Sequence, residues 1–125
     1  MKKPKENIIL LQLKDGMVEI EMLPDLAPNH VTRIKELVNQ EFYDGLKFHR
    51  VIEGFMTQTG DPNGNGTGGT GKKINAEFSN ESHLRGIVSM ARSQSPDSAD
   101  SQFFIVTKDS PFLDGNYTVW GRVIN

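Results

Sequence analysis

The hydrophobic pattern along the chain predicts short β-strands interrupted by a single helix. Residues 7–13 form a compact apolar run, and the Asp15-Gly16 pair that follows is a hairpin turn signal. Residues 18–22 then alternate apolar side chains with glutamates, which is the period-2 pattern of a half-buried strand. Further strands are predicted at residues 47–52, 55–59, 87–91, 103–107 and 118–123.

The helix is predicted over about residues 28–40. Pro28 stands where the first turn of a helix tolerates proline. Apolar side chains then recur at helical spacing, at Val31, Ile34, Leu37 and Val38. Many short strands with one helix and no βαβ alternation predict a closed or nearly closed antiparallel barrel. With no internal repeat and no linker, residues 1–125 are expected to form a single domain.

Composition and charge exclude several classes of function. The formal net charge of −2 argues against a nucleic-acid or membrane partner, which usually requires a basic excess. There is no cysteine, hence no disulfide and no thiol nucleophile, and the three histidines lack metal-ligand spacing. We therefore expect neither metal nor cofactor. The apolar run near the N-terminus is shorter than the h-region of a secretory leader, which favours a cytoplasmic protein.

A glycine-rich segment, residues 60–71, formally matches nucleotide-binding motifs. Residues 64–69 fit the dinucleotide fingerprint, and residues 66–72 nearly fit a P-loop. Both motifs require a helix directly afterwards, and the sequence from Lys72 has no helical periodicity. We interpret the segment as a surface bend whose glycines take positive φ.

The candidate chemistry lies in two stretches, residues 48–61 and 101–105. Strand alternation places Phe48, Arg50 and Ile52 on one face, and His49 with Val51 on the other. The same alternation pairs Met56 with Gln58 and Gln102 with Phe104, leaving Phe103 and Ile105 for the core. From spacing alone, a structural salt bridge for Arg50 and a core role for the Phe and Met residues is the simpler interpretation.

Six motifs in order nevertheless resemble the signature of the cyclophilins. They are Phe48-His49-Arg50, the segment from Gly54 to Asp61, Gly66-Thr67-Gly68-Gly69, Ser89-Met90-Ala91, residues 101–105, and Leu113-Asp114-Gly115. The resemblance implies an eight-stranded barrel with a packed interior and a catalytic groove on its outer face. It further implies a peptidyl-prolyl cis/trans isomerase that acts on proline-containing peptides and unfolded proteins and assists folding.

The resemblance also assigns roles to residues. Arg50 is the catalytic arginine, and Gln58 and Gln102 line the groove, where they hydrogen-bond the peptide or hold Arg50. The proline pocket is formed by Phe55, Met56, Phe104 and Leu113. Gly66 borders the groove, as does the segment Ala91-Arg92-Ser93, the latter mainly through its backbone.

Some positions depart from the eukaryotic members and look like the bacterial branch. Phe112 stands where the best-known members carry tryptophan, Tyr117 where they carry histidine, and Arg92 where they carry asparagine. These changes predict weak binding of cyclosporin-type cyclic peptides.

Family members normally continue past the strand at residues 118–123 with a second helix and a closing strand. This chain stops at Asn125, so we expect either a truncated form or association through an exposed sheet edge. The alternative function left open is a proline-peptide binding module without catalysis.

Overall fold

Seven strands form one antiparallel sheet in the computed structural model, which describes residues 7–124. The α-helix, α1, is Pro28–Asn39, and a 3-10 turn covers Pro111–Leu113. The predicted helix and strands are confirmed, each boundary to within about three residues. The strands are β1 Ile8–Leu13, β2 Gly16–Met22, β3 Arg50–Ile52, β4 Met56–Thr59, β5 Ile87–Met90, β6 Phe103–Val106 and β7 Val119–Val123.

The sheet curls but does not close, so the prediction of a closed, eight-stranded barrel is wrong for the described residues. The strand order is β1-β2-β7-β5-β6-β4-β3, which leaves β1 and β3 as the two edges. A cavity of about 540 Å³ opens on the concave side and is lined by residues of β1, α1 and the segment 43–48. Because no ladder joins β1 to β3 within residues 7–124, the structure is a half-barrel. Association through these edges stays a prediction.

The two faces of the sheet bury separate apolar clusters. The concave face packs against α1 and centres on Trp120, Phe103 and Ile34. The convex face carries a second cluster that includes Phe104, Met56 and Leu113. Neighbouring residues of β6 therefore serve opposite faces, as the predicted split between Phe103 and Phe104 requires.

The first turn of α1 is capped by a side chain distant in sequence. Ala27 has no side chain able to cap the helix, and Glu77 accepts hydrogen bonds from the backbone N–H of Asn29 and His30 instead. The His30 ring also bonds Glu77, and burial lowers the pKa of His30 against the raising effect of that carboxylate. Glu77 thus ties the helix to the loop before β5.

Within residues 7–124, no helix is long and apolar enough to cross a membrane.

The β1–β2 hairpin turns one residue earlier than the Asp15-Gly16 signal suggests. Leu13 pairs with Gly16, so the loop consists of Lys14 and Asp15, and Gly16 is the first residue of β2. The register that follows places Ile20 and Met22 in the core, as predicted.

Candidate active site

A single row across four strands carries the predicted catalytic side chains. Arg50 on β3 pairs with Gln58 on β4, Gln58 pairs with Phe104 on β6, and Phe104 pairs with Ser89 on β5. Directly opposed residues of antiparallel strands point to the same face. Arg50 and Gln58 are far from Phe104 in the sequence, but the three side chains therefore meet on the convex face of the sheet.

An apolar cavity of about 410 Å³ lies at one end of this row. Met56, Phe104 and Leu113 form its buried floor. Phe55 and Phe112 stand at the rim with their ring centroids 5.4 Å apart, and Phe112 is 68% exposed. The full lining is Arg50, Phe55, Met56, Gln58, Ala91, Arg92, Phe104, Phe112, Leu113, Asn116 and Tyr117. The residues predicted for the proline pocket are thus brought together.

A second, polar cavity of about 750 Å³ adjoins the first, and the two share Arg50, Gln58, Ala91 and Arg92. Its wall is a hydrogen-bonded chain in which Gln58 Nε2 donates to Gln102 Oε1 at 2.9 Å, and Gln102 Nε2 donates to the Gly68 carbonyl at 2.9 Å. Gly66, Ser93 and Asp100 also line this cavity. The two predicted glutamines hold each other and the glycine-rich loop.

The Arg50 guanidinium makes no hydrogen bond or ion pair with any other group in residues 7–124. Arg50 is exposed and lines both cavities. The structural salt bridge that spacing favoured is therefore not formed, and neither glutamine bonds Arg50. Its guanidinium, which carries five N–H donors, is therefore available to a ligand in the groove.

Arg92 enters the groove through its side chain as well as its backbone. Its Nε and Nη2 donate to the Asn116 carbonyl at 3.0 and 2.8 Å, and its Nη1 donates to the carbonyls of Ser93 and Gln94. The guanidinium carbon lies 4.8 Å from the centre of the Tyr117 ring, which in turn meets Phe104 edge to face. The side chain is consequently fixed between the two cavities.

The predicted faces of Phe48 and His49 are wrong. Phe48 lines the concave cavity, whereas His49 lines the polar cavity together with Arg50. The reason is that β3 begins only at Arg50, so strand alternation does not extend back to these residues. Both ring nitrogens of His49 are buried and have no partner within residues 7–124.

Two carboxylates organise the glycine-rich loop that walls the polar cavity. Asp61 accepts backbone N–H bonds from Asn63, Asn65 and Gly66. Asp100 accepts from the backbone and the hydroxyl of Thr70 and from the backbone of Gly71.

Two of the loop's glycines are required by close approach to these carboxylates. A Cβ at Gly68 would overlap Asp61, and one at Gly69 would overlap Asp100. The glycines thus let the loop wrap around the two carboxylates.

The Asp61 carboxylate is buried and is surrounded by backbone N–H donors. It is fully buried, and burial by itself raises the pKa of its carboxyl. Hydrogen bonds from the backbone of Asn63, Asn65, Gly68 and Gly66 outweigh that effect and lower the pKa to about 2. Asp61 is therefore ionised at neutral pH, with backbone donors supplying its stabilisation.

A buried chain behind the apolar cavity was missed by the sequence analysis. The His83 ring is stacked on Phe104, with centroids 6.3 Å apart. Its Nδ1 lies 3.0 Å from Asp114 Oδ1, and its Nε2 lies 3.0 Å from Ser89 Oγ. Backbone N–H donation from His83 lowers the pKa of Asp114. In the sequence, only the motifs that contain Ser89 and Asp114 could have pointed to these hydrogen bonds of His83.

In the described part of the molecule no group of three or more His, Cys, Asp and Glu side chains could hold a metal ion.

Comparison with known proteins identifies close relatives of this site and fold. The family model for cyclophilin-type peptidyl-prolyl cis-trans isomerases matches residues 8–125. A probable peptidyl-prolyl cis-trans isomerase of Brucella suis is 54% identical over 132 residues, covering 96% of this chain and 67% of the relative. Peptidyl-prolyl cis-trans isomerase B of Bacillus subtilis is 46% identical over 114 residues, covering 89% of this chain and 79% of the relative.

Solved structures agree with the sequence relatives. A cyclophilin-type isomerase of Cryptosporidium parvum, crystallised in the presence of the dipeptide Ala-Pro, superposes with a TM-score of 0.90 at 31% identity, covering 94% of this chain and 78% of that one. A cyclophilin of Hirschia baltica superposes with a TM-score of 0.85 at 29% identity, covering 96% of this chain and 64% of that one. The chain thus spans about two thirds of the length of some relatives.

Proposed function

This chain belongs to the cyclophilin-type peptidyl-prolyl cis-trans isomerases, and from that membership we propose that its groove accelerates rotation of Xaa-Pro bonds in flexible or unfolded protein chains. The observation that carries the proposal is the position of the Arg50 guanidinium, which has no partner within residues 7–124 and lies on one row with Gln58 and Phe104, beside the apolar cavity. A proline ring suits the apolar lining of that cavity, and the Cryptosporidium relative was crystallised in the presence of a proline-containing dipeptide, Ala-Pro. The cytoplasmic location stays a prediction.

The proposed mechanism needs no covalent step. Rotation about the bond before proline faces a barrier of ~18–20 kcal/mol, because twisting breaks the conjugation of the amide. A roughly 10⁵-fold acceleration requires about 7 kcal/mol of transition-state stabilisation. In the twisted state the prolyl nitrogen regains a localised lone pair, to which Arg50 donates far better than to a planar amide. An interaction made mainly in the transition state is the kind that raises the rate.

Arg50 alone does not supply this stabilisation. One hydrogen bond to a charged group contributes about 1.5–3 kcal/mol. We attribute the rest to removal of the amide from water against Phe104, Phe55 and Leu113, and to anchoring of the flanking peptide while one end rotates. Gln102 suits that anchoring, because its amide is fixed by Gln58 and Gly68.

A coupled cis/trans assay on a short Xaa-Pro peptide tests the proposal. We expect catalysed interconversion that exceeds the spontaneous rate in proportion to protein concentration. Binding of the peptide without acceleration would instead identify a proline-peptide binding module.

We expect turnover to be nearly constant between about pH 6 and pH 8. The proposed donor is a guanidinium, and arginine side chains in general stay charged throughout this range. The pH dependence of kcat/KM is the measurement. His49 lines the same cavity as Arg50, so a steep change centred near pH 6–7 that disappears in His49→Gln would show that this histidine takes part.

Cyclosporin-type cyclic peptides should bind weakly, and Phe112→Trp should tighten them. Phenylalanine lacks the indole N–H that donates to a ligand carbonyl, and its ring covers less area. One such hydrogen bond contributes about 0.5–1.5 kcal/mol, or up to about tenfold in affinity. Titration calorimetry on both proteins is the test. An unchanged affinity in Phe112→Trp would contradict this explanation. Phe112→Tyr separates the two effects, because it adds an O–H donor without the larger indole ring.

A further inference from the structure

The groove carries a local positive charge that the chain as a whole does not. Acidic residues outnumber lysine and arginine, giving a net charge of −2. Both cavities are nevertheless lined by two arginines, Arg50 and Arg92. No carboxylate of residues 7–124 lies within ion-pair distance of either guanidinium. The backbone carbonyls that bind Arg92 fix its position without neutralising its charge.

The two carboxylates that follow Arg92 on its own loop, Asp97 and Asp100, both bind other groups. Asp100 is the one acidic residue that lines the polar cavity, and its two oxygens accept three hydrogen bonds from Thr70 and Gly71. Asp97, on the same loop as Arg92, accepts from the backbone of Ala76 and lines neither cavity. A ligand in the groove therefore lies near the guanidinium groups of Arg50 and Arg92 and near the carboxylate of Asp100, whose oxygens are bonded to Thr70 and Gly71.

The geometry also indicates which part of a substrate approaches Arg92. In the proposed function the proline ring occupies the apolar cavity and its nitrogen faces Arg50. The nitrogen joins the ring to the carbonyl of the preceding residue, which is thereby directed past Arg50 toward the polar cavity. Arg92 lies at the boundary of the two cavities. A side chain just before proline consequently passes beside its guanidinium.

Resting on the proposed function, we propose that Arg92 is a specificity-determining residue and that the preferred substrates carry an acidic side chain immediately before proline. Complementary charge at a partly exposed site raises the rate of productive encounter and discriminates between partners. The stacking of Arg92 over Tyr117 keeps its charge in place, so little side-chain freedom is lost when an acidic residue binds.

The test compares peptides that are identical except for Glu, Gln or Lys before proline. We expect kcat/KM for Glu-Pro to exceed that for Gln-Pro by about three- to fivefold, as for a partly exposed ion pair, and Lys-Pro to be the poorest. The preference should shrink between about 0.01 M and 1 M salt, where the screening length falls from ~30 to ~3 Å. Equal values for Glu and Gln at low salt would overturn the proposal.

Two variants separate charge from structure. Arg92→Gln should bring the Glu/Gln ratio to about one, whereas Arg92→Lys, which keeps the charge but loses the fork of hydrogen bonds, should retain most of it. The ratio is the readout, because turnover itself is expected to fall in both. An undiminished ratio in Arg92→Gln would assign the preference to another group. If no peptide is turned over at all, the proposed isomerase function fails, and calorimetric binding of the Glu and Gln peptides still decides the charge preference.

Discussion

Replacing Arg50 by alanine should lower kcat/KM by about 10- to 100-fold while leaving the fold intact. The guanidinium makes no bond to the rest of the described chain, so its removal breaks no structural contact. What is lost is a donor used mainly in the twisted state, and a charged hydrogen bond of about 1.5–3 kcal/mol corresponds to a rate factor of this size. A coupled cis/trans assay and a thermal melt, run on the same preparation, measure both quantities.

Two controls sharpen the Arg50 experiment. Arg50→Lys keeps the positive charge but replaces the planar fork by a single ammonium, so we expect an intermediate rate. Arg85→Ala removes an exposed arginine from outside both groove cavities and should leave turnover unchanged. An Arg50→Ala protein with wild-type turnover per folded molecule but a much lower melting temperature would refute the catalytic assignment.

Among the substitutions proposed for this protein, Asp61→Asn should reduce the free energy of unfolding the most. An asparagine oxygen accepts more weakly than a carboxylate, and its amide group brings further donors into a ring of backbone donors. We expect the free energy of unfolding to fall by roughly 2–3 kcal/mol, given the strength of hydrogen bonds to charged groups. For a domain of this size the melting temperature should drop by roughly 8–12 °C. Because Gly68 also holds Gln102, the Michaelis constant should rise as the loop loosens.

The same carboxylate predicts how stability depends on acid. Its pKa is about 2 in the folded protein, below the ordinary value of 3.8. A depressed folded pKa stabilises the protein above the unfolded value, so this contribution is complete above about pH 4 and is lost between about pH 4 and pH 2. Denaturant titrations across that range should show a larger loss in the wild type than in Asp61→Asn, in which other carboxylates with a lowered pKa, such as Asp114, still contribute.

Asp97→Asn is the matched control for Asp61. Asp97 is an exposed carboxylate on the neighbouring loop, and within residues 7–124 its side chain accepts one backbone hydrogen bond, from Ala76. We expect its loss to change stability by less than about 1 kcal/mol. Equal destabilisation by the two substitutions would show that the backbone hydrogen bonds to Asp61 contribute no more to stability than the single bond to Asp97.

The positions of the helix and strands could be predicted because hydrophobic periodicity depends on residues that are close together in the sequence. The spacing of Val31, Ile34 and Leu37 defines one buried face of α1, and these three side chains are buried in the structure. Alternation likewise assigned Phe103 and Phe104 to opposite faces, where they join different clusters. Such periodicity depends only on the geometry of the backbone, so it is readable without the fold.

What the sequence could not provide depends on partners far apart in the chain. Glu77 caps a helix 47 residues earlier, and His83 meets Asp114 across 31 residues. No periodic signal connects such positions. The misplacement of Phe48 and His49 has a related cause, since where a strand begins is decided by its pairing with β4 rather than by its own residues. Barrel closure, too, is a property of the sheet edges and not of any single strand.

The wrapping of the glycine-rich loop around Asp61 changes what its glycine motif means. In nucleotide-binding proteins a ring of backbone N–H groups forms an anion-binding site for a phosphate of the ligand. Here the anion is part of the same chain, two to seven residues away from its donors, at an effective concentration of about millimolar or more. The loop is a receptor already occupied by its own tethered ligand. Its shape, and the groove wall that it forms, therefore does not depend on any solute, and a phosphate would first have to displace a carboxylate that cannot diffuse away.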